Sequence, residues 1–273
     1  MKIVNKGGIN CYLNKDNKIE RVDIYEYTET EKNILEENAN DIKDIFYDSY
    51  ICPVDISMLS KMKNLESLNI YNKNKVIDIS FANELKNLQG LQVEKFTGSL
   101  NNKTLVSVAY KWHKKSDISQ SSNIEGIGIF NCADIEAFMF QIKELKKLKK
   151  MMFWRISSTS FPKTDTGTPV TWLEFYYCPR LLDLENFPSN FPNLTHLQFN
   201  HCKNIQDYSS LERLKDLEEL IIIESAPITD LSFLKEMKKL SSLKIFKTKI
   251  TANNIKILDE IPTKVDLLFT GIK

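Results

Sequence analysis

Histidine, cysteine and lysine are the residue types in this chain whose spacing could carry chemistry. Histidine titrates near neutral pH and binds metals, and His196 and His201 stand close together. No obvious carboxylate or cysteine pairing lies beside them in the sequence, so neither a metal nor a catalytic role is expected; His113 is likewise unpaired. The five cysteines are odd in number and form no Cys-x-x-Cys pair, a pattern of free thiols rather than of zinc ligands. The run Lys143, Lys146, Lys147, Lys149, Lys150 could attract phosphate or an acidic partner, but it reads as the solvated face of a helix leading into a strand. There is no glycine-rich phosphate loop, nucleophile elbow or evident carboxylate pair. The expectation is therefore no catalytic residue, no metal and no cofactor. What remains is a concentration of aromatic side chains in the middle of the chain, whose meaning depends on the elements that carry them.

Those elements repeat. Leu240-x-x-Leu243-x-Ile245 follows Leu217-x-x-Leu220-x-Ile222, Leu194-x-x-Leu197-x-Phe199 and Val170-x-x-Leu173-x-Phe175, at intervals of 23 or 24 residues. The same phase extends upstream through units led by Leu148, Ile124, Leu88 and Leu65, and more weakly by Ile42 and Ile19. A unit at Leu105, Val108 and Tyr110 fills the irregular interval between Leu88 and Ile124. Pro262, Val265, Leu267, Thr270 and Ile272 make a last turn, for about twelve strands in all.

This pattern resembles the leucine-rich repeat, and in its Leu-x-x-Leu-x-x-Leu-x-Leu runs the internalin-type repeats of bacteria, over roughly residues 19–272. The resemblance implies an α/β horseshoe solenoid with a parallel sheet on its concave side. Positions one, four and six of each unit turn inward, and position nine is a corner where Cys132, Cys178 and Cys202 can pack. Between strands, Leu211-x-x-Leu214-x-x-Leu217 and Leu234-x-x-Met237-x-x-Leu240 keep the spacing of short helices or 3-10 turns on the convex side. Residues 1–18 alternate apolar residues around turn signals and are expected to form a capping hairpin; 19–273 are expected to be one continuous solenoid. Cys132-Ala133-Asp134 is similar to the Cys-x-Asp motif of bacterial leucine-rich-repeat ubiquitin ligases, which carry it in a separate helical domain, so no such role is assigned here.

In such a repeat, positions two, three, five, seven and eight face the concave side. Position seven includes Phe130, Trp154, Tyr176 and Asn200, and position eight Trp112, Arg155, Tyr177 and His201. Position three includes Trp172 and His196, and position five Met152 and Glu174. All three tryptophans of the chain thus fall on the expected concave face. These twelve residues are the candidate partner-binding set, because tryptophan, tyrosine and arginine are enriched among interface anchors. The competing explanation is that the rings stack on one another and only cover the sheet, since aromatics favour strands.

Composition narrows the partner. An apolar share of 42% in 273 residues is ample for a core, and 37 basic against 36 acidic residues supply no basic field for nucleic acid. No stretch is long and apolar enough to span a bilayer, and residues 1–8 contain no apolar segment of a signal peptide. The expected role is a cytoplasmic, non-enzymatic module, monomeric when free, that sequesters another protein, with neither nucleic acid nor membrane as partner. By analogy with leucine-rich-repeat immunity proteins, that partner would be a cognate toxin; an internalin-like host-directed effector or adhesin is the alternative.

Overall fold

From the unit led by Ile42 onward, each repeat strand begins two residues after the leading apolar position, and alternation along the strand then decides what is buried. The computed structural model describes residues 2–48, 56–73, 75–261 and 263–268. The chain divides into two compact units, Met1–Ile124 and Glu125–Lys273.

The first unit carries β1 (Lys2–Lys6), β2 (Ile9–Leu13), β3 (Ile19–Ile24), β4 (Asp44–Asp48) and β5 (Ser67–Tyr71). It continues with β6 (Ile77–Asp78), β7 (Gly90–Val93), β8 (Phe96–Ser99), β9 (Ser107–Lys111) and β10 (Ser116–Asp117). β1 and β2 form an antiparallel hairpin, and β2 pairs antiparallel with β3. From β3 onward, β4, β5, β7 and β9 add in parallel, with Leu68, Leu91 and Val108 side by side. The unit led by Leu105 is therefore in register.

The return segments of this unit were not foreseen. β6, β8 and β10 pair in parallel as a second, three-stranded sheet. Length accounts for two of its strands: β8 and β10 lie in the units led by Leu88 and Leu105, the shortest in the chain, while β6, in the full-length unit led by Leu65, joins by pairing with β8. An extended segment covers about 3.3 Å per residue and a helix about 1.5 Å, so the shorter connection runs as strand.

The second unit carries β11 (Gly126–Phe130), β12 (Lys150–Trp154), β13 (Trp172–Tyr176), β14 (His196–Asn200), β15 (Glu219–Ile223), β16 (Ser242–Phe246) and β17 (Lys264–Leu268). All neighbours are parallel and paired without a register shift. The connections are short helices and 3-10 turns, such as Ile135–Ile142, Ser209–Arg213 and Ser232–Glu236. The apolar spacings 211, 214, 217 and 234, 237, 240 are buried throughout. Pro262, Thr270 and Ile272 of the expected last turn lie outside the described residues.

Inward positions four and six form the core as far as β16; in β17, an outer strand of the sheet among the described residues, Val265 is half-buried and Leu267 exposed, against expectation. Leu220, Ile222, Leu243 and Ile245 have no exposed surface, and truncating such a leucine costs about 2–5 kcal/mol. Position six of β12, β13 and β14 is phenylalanine, so Phe153, Phe175 and Phe199 stack at 5.3 Å intervals with nearly parallel planes. Phe161 and Phe138 meet this column edge-on. Offset stacks and edge contacts are the favourable ring geometries, and they give this stretch of solenoid a dense aromatic spine.

Candidate functional site

The corner after each strand sets which side chains reach solvent. In the second unit, position eight is left-handed in six consecutive repeats: Asn131, Arg155, Tyr177, His201, Glu224 and Lys247, with φ between 44° and 59°. Each of these residues donates its N–H to the position-seven carbonyl of the next repeat; Arg155 to Tyr176 at 3.0 Å and Tyr177 to Asn200 at 2.9 Å are two of them. The reversal breaks the strand's alternation. Position eight is thrown outward and position nine inward, which buries Cys132, Cys178 and Cys202. Where the repeats carry a hydroxyl there, it bonds the corner: Ser225 Oγ donates to the Ile223 carbonyl, and Thr248 Oγ1 to that of Phe246.

This corner explains a correction. Trp112 occupies position eight but is only 8% exposed, whereas its spacing had placed it on the solvent face. Its backbone is not left-handed, so alternation simply continues from Val108 and Tyr110 and carries the indole inside. Asn72, at the same position after β5, is buried in the same way.

Two rails of side chains run across the solvent face of β12 to β16. The first starts at Lys150, whose Nζ lies 5.3 Å from the Trp172 ring centroid. Trp172 stacks on His196 at 3.5 Å, with planes 9° apart. His196 Nδ1 is 2.8 Å from Glu219, which also pairs with Lys244. The Lys244 ammonium, followed by His196, holds the Glu219 carboxyl below its ordinary pKa. Trp172 Nε1 donates to Glu174 Oε1 at 2.8 Å, and the Tyr176 hydroxyl donates to Glu174 Oε2 at 3.0 Å. Burial, and then that carboxylate, raise the Tyr176 phenol. Gln198 closes the set by donating to the Tyr176 hydroxyl at 3.0 Å.

The second rail is the row at positions seven and eight. Trp154 stacks on Tyr176 at 5.5 Å and meets Tyr177 at 5.1 Å. Tyr177 stacks on His201 at 4.4 Å. His201 lies 2.9 Å from Glu224, which pairs with Lys247 at 3.0 Å; the lysine is the first cause of its lowered carboxyl pKa. Phe130, Met152, Trp154, Glu174, Tyr176, Asn200 and His201 are half-buried, while Arg155, Trp172 and Tyr177 are exposed.

His196 departs from expectation. It is 5% exposed because the Trp172 ring roofs it, so it supports the surface rather than presenting itself. Both histidines also have carboxylate partners that were not anticipated. Glu219 and Glu224 stand 23 residues after His196 and His201, and reading columns across repeats rather than along the chain would have found them.

The other candidate chemistries are structural. Asp134 caps the helix Ile135–Ile142 through the Ala137 N–H, and burial pushes the Cys132 thiol up to about 12, a poor nucleophile at neutral pH. The Cys178 thiol is in contact with that of Cys202, which raises Cys202 together with burial. The lysine run follows the helix, which ends at Ile142, rather than lying on it. Lys149 pairs with Glu125, and Lys143 covers the Phe140 ring. Among the described residues, no group of three or more His, Cys, Asp or Glu side chains could hold a metal, and no helix is long and apolar enough to cross a membrane.

No family profile and no curated protein matches the chain. Solved structures do. An internalin, InlF, of Listeria monocytogenes superposes with a TM-score of 0.50 at 16% identity, covering 88% of this chain and 77% of the internalin. TLR13 in a complex with ssRNA13 gives 0.56 at 16% identity, over 93% of this chain and 36% of that one. A leucine-rich-repeat protein of Leptospira interrogans gives 0.48 at 14% identity, over 93% and 68%. The first two establish likeness of fold alone: the chain is a leucine-rich-repeat protein in architecture.

Proposed function

We propose that this chain is a non-enzymatic protein-binding module that docks its partner on the solvent face of β12, β13 and β14. The supporting observation is the preorganisation of the aromatic cluster. Trp172 and Tyr177 are 37% and 39% exposed, yet each is held by a stack, and the Trp172 N–H is already bonded to Glu174. Rings locked in this way lose little conformational freedom on binding, which is how a few anchors come to dominate an affinity. A cluster serving only to cover the sheet has no need to leave those two rings in water.

The more specific reading is sequestration of a toxin by a cytoplasmic immunity protein. The analogy with leucine-rich-repeat immunity proteins supports it, together with a nearly neutral chain. An internalin-like, host-directed role is the second reading, and the shared fold with InlF favours it.

Affinity purification with mass spectrometry identifies the partner. Trp154→Ala and Tyr176→Ala are then each expected to weaken its binding by about 2 kcal/mol or more, with little change in Tm for Trp154→Ala. Glu212→Ala, exposed on the 3-10 turn Ser209–Arg213 and outside these strands, serves as the control and is expected to change neither. Normal binding by both aromatic variants would move the interface elsewhere.

A further inference from the structure

The charges on this face are unequally used. Its acids are satisfied from within: Glu174 by Trp172 and Tyr176, Glu219 by Lys244 and His196, Glu224 by Lys247 and His201. Lys244 and Lys247 are thereby neutralised. Two cations are not. Lys150 and Arg155, both exposed and both on or beside β12, take part in no ion pair among the described residues. The Lys150 ammonium lies over the face of Trp172, and Arg155 is exposed at its left-handed corner, next to Trp154 in the chain and with its N–H on the Tyr176 carbonyl across the repeat. Between them on the same strand lie half-buried Met152 and Trp154.

We infer that the partner presents an acidic segment with interleaved apolar side chains, laid along β12, with one carboxylate on Arg155 and another near Lys150. This rests on the docking surface proposed above and names the chemistry of what it takes. Charge complementarity carries the argument: a partner that covers β12 must leave these two cations buried and unpaired or bring carboxylates to them. Leaving a desolvated charge unpaired is the costly alternative. An arginine fork receives a carboxylate in two parallel bonds, which fixes its position as well as its charge. The aromatic rings alongside supply the apolar contact. A nucleic acid would also bring anions, but two cations at the two ends of one strand are too few to track a phosphate backbone.

The test pans a phage-displayed random peptide library on the full chain and titrates the selected peptides as synthetic products. The expected result is an excess of Asp and Glu interspersed with apolar residues, and affinity that falls as salt rises. Arg155→Ala should reduce it about tenfold, with Arg155→Lys restoring only part because the paired bonds are lost. Peptides that require Trp154 but carry no acidic excess, or that bind Arg155→Ala unchanged, overturn this inference and leave the docking surface standing. Peptides indifferent to both Trp154→Ala and Arg155→Ala overturn the docking surface as well. A library yielding nothing that prefers the wild type over the Lys150→Ala/Arg155→Ala variant also overturns the inference. So does Arg155-dependent binding of a single-stranded RNA homopolymer where no peptide binds.

Discussion

Glu31 shows how much one side chain can organise in this chain. Its carboxylate accepts the Gly8 N–H at 2.9 Å and the Thr28 N–H at 2.8 Å, and also bonds the Thr28 hydroxyl. It thereby completes the capping box of the helix Glu29–Glu37 and ties it to the turn of the β1–β2 hairpin. Gly7 in that turn has a φ of 65°, and a Cβ on it would strike Glu31 Oε1, so the close approach depends on glycine. The Gly8 N–H, followed by the Thr28 hydroxyl, holds the Glu31 carboxyl at about 2, below its ordinary value of 4.5. A folded-state pKa below the unfolded one means stabilisation that is fully present above about pH 4.5 and lost as pH falls through about 2. Glu31→Gln is therefore expected to be less stable than wild type at neutral pH, with the difference shrinking across that acid range. Urea midpoints measured along it check this, and curves that stay parallel would remove Glu31 from the account.

At the level of the element, the strand and its corner behave differently as sources of information. Strand positions were legible because burial at positions four and six imposes period two and a fixed offset, so all twelve units carry a strand where the apolar spacing placed it. The corner was not legible, because whether position eight turns outward depends on one backbone angle that no apolar pattern records. That angle separates exposed Tyr177 and Arg155 from buried Trp112. The roof of Trp172 over His196 was hidden for a related reason, since it arises from packing between repeats, while the second sheet of β6, β8 and β10 left only the short spacing of two units as its sign. Asn131 tests the corner directly: it is exposed at φ 51°, with its N–H bonded to the Trp154 carbonyl at 2.7 Å. Asn131→Gly should leave stability within about 0.5 kcal/mol, whereas Asn131→Val, branched at Cβ in a left-handed conformation, should cost about 1–2 kcal/mol. Equal denaturation midpoints for the two variants would mean that the corner is not left-handed.

Across the whole molecule, the tryptophans divide between the two units in a way that can be read by spectroscopy. Trp112 belongs to Met1–Ile124 and is buried, while Trp154 and Trp172 belong to Glu125–Lys273 and sit half-buried and exposed on the face proposed to bind. Because the chain has three tryptophans, Trp154→Phe/Trp172→Phe leaves Trp112 as the sole indole. Its emission is expected at short wavelength with weak acrylamide quenching, since both report an indole withdrawn from water. Trp112→Phe keeps the other pair, and there quenching should be strong until a ligand covers them. Adding a selected peptide or the purified partner should then shift and protect the emission of Trp112→Phe and leave that of the double variant unchanged. Strong quenching of Trp112 alone would return it to the solvent face and undo the account of its corner. A partner that perturbs only Trp112 would place binding in the first unit, where the stacked rails of β12 to β14 play no part.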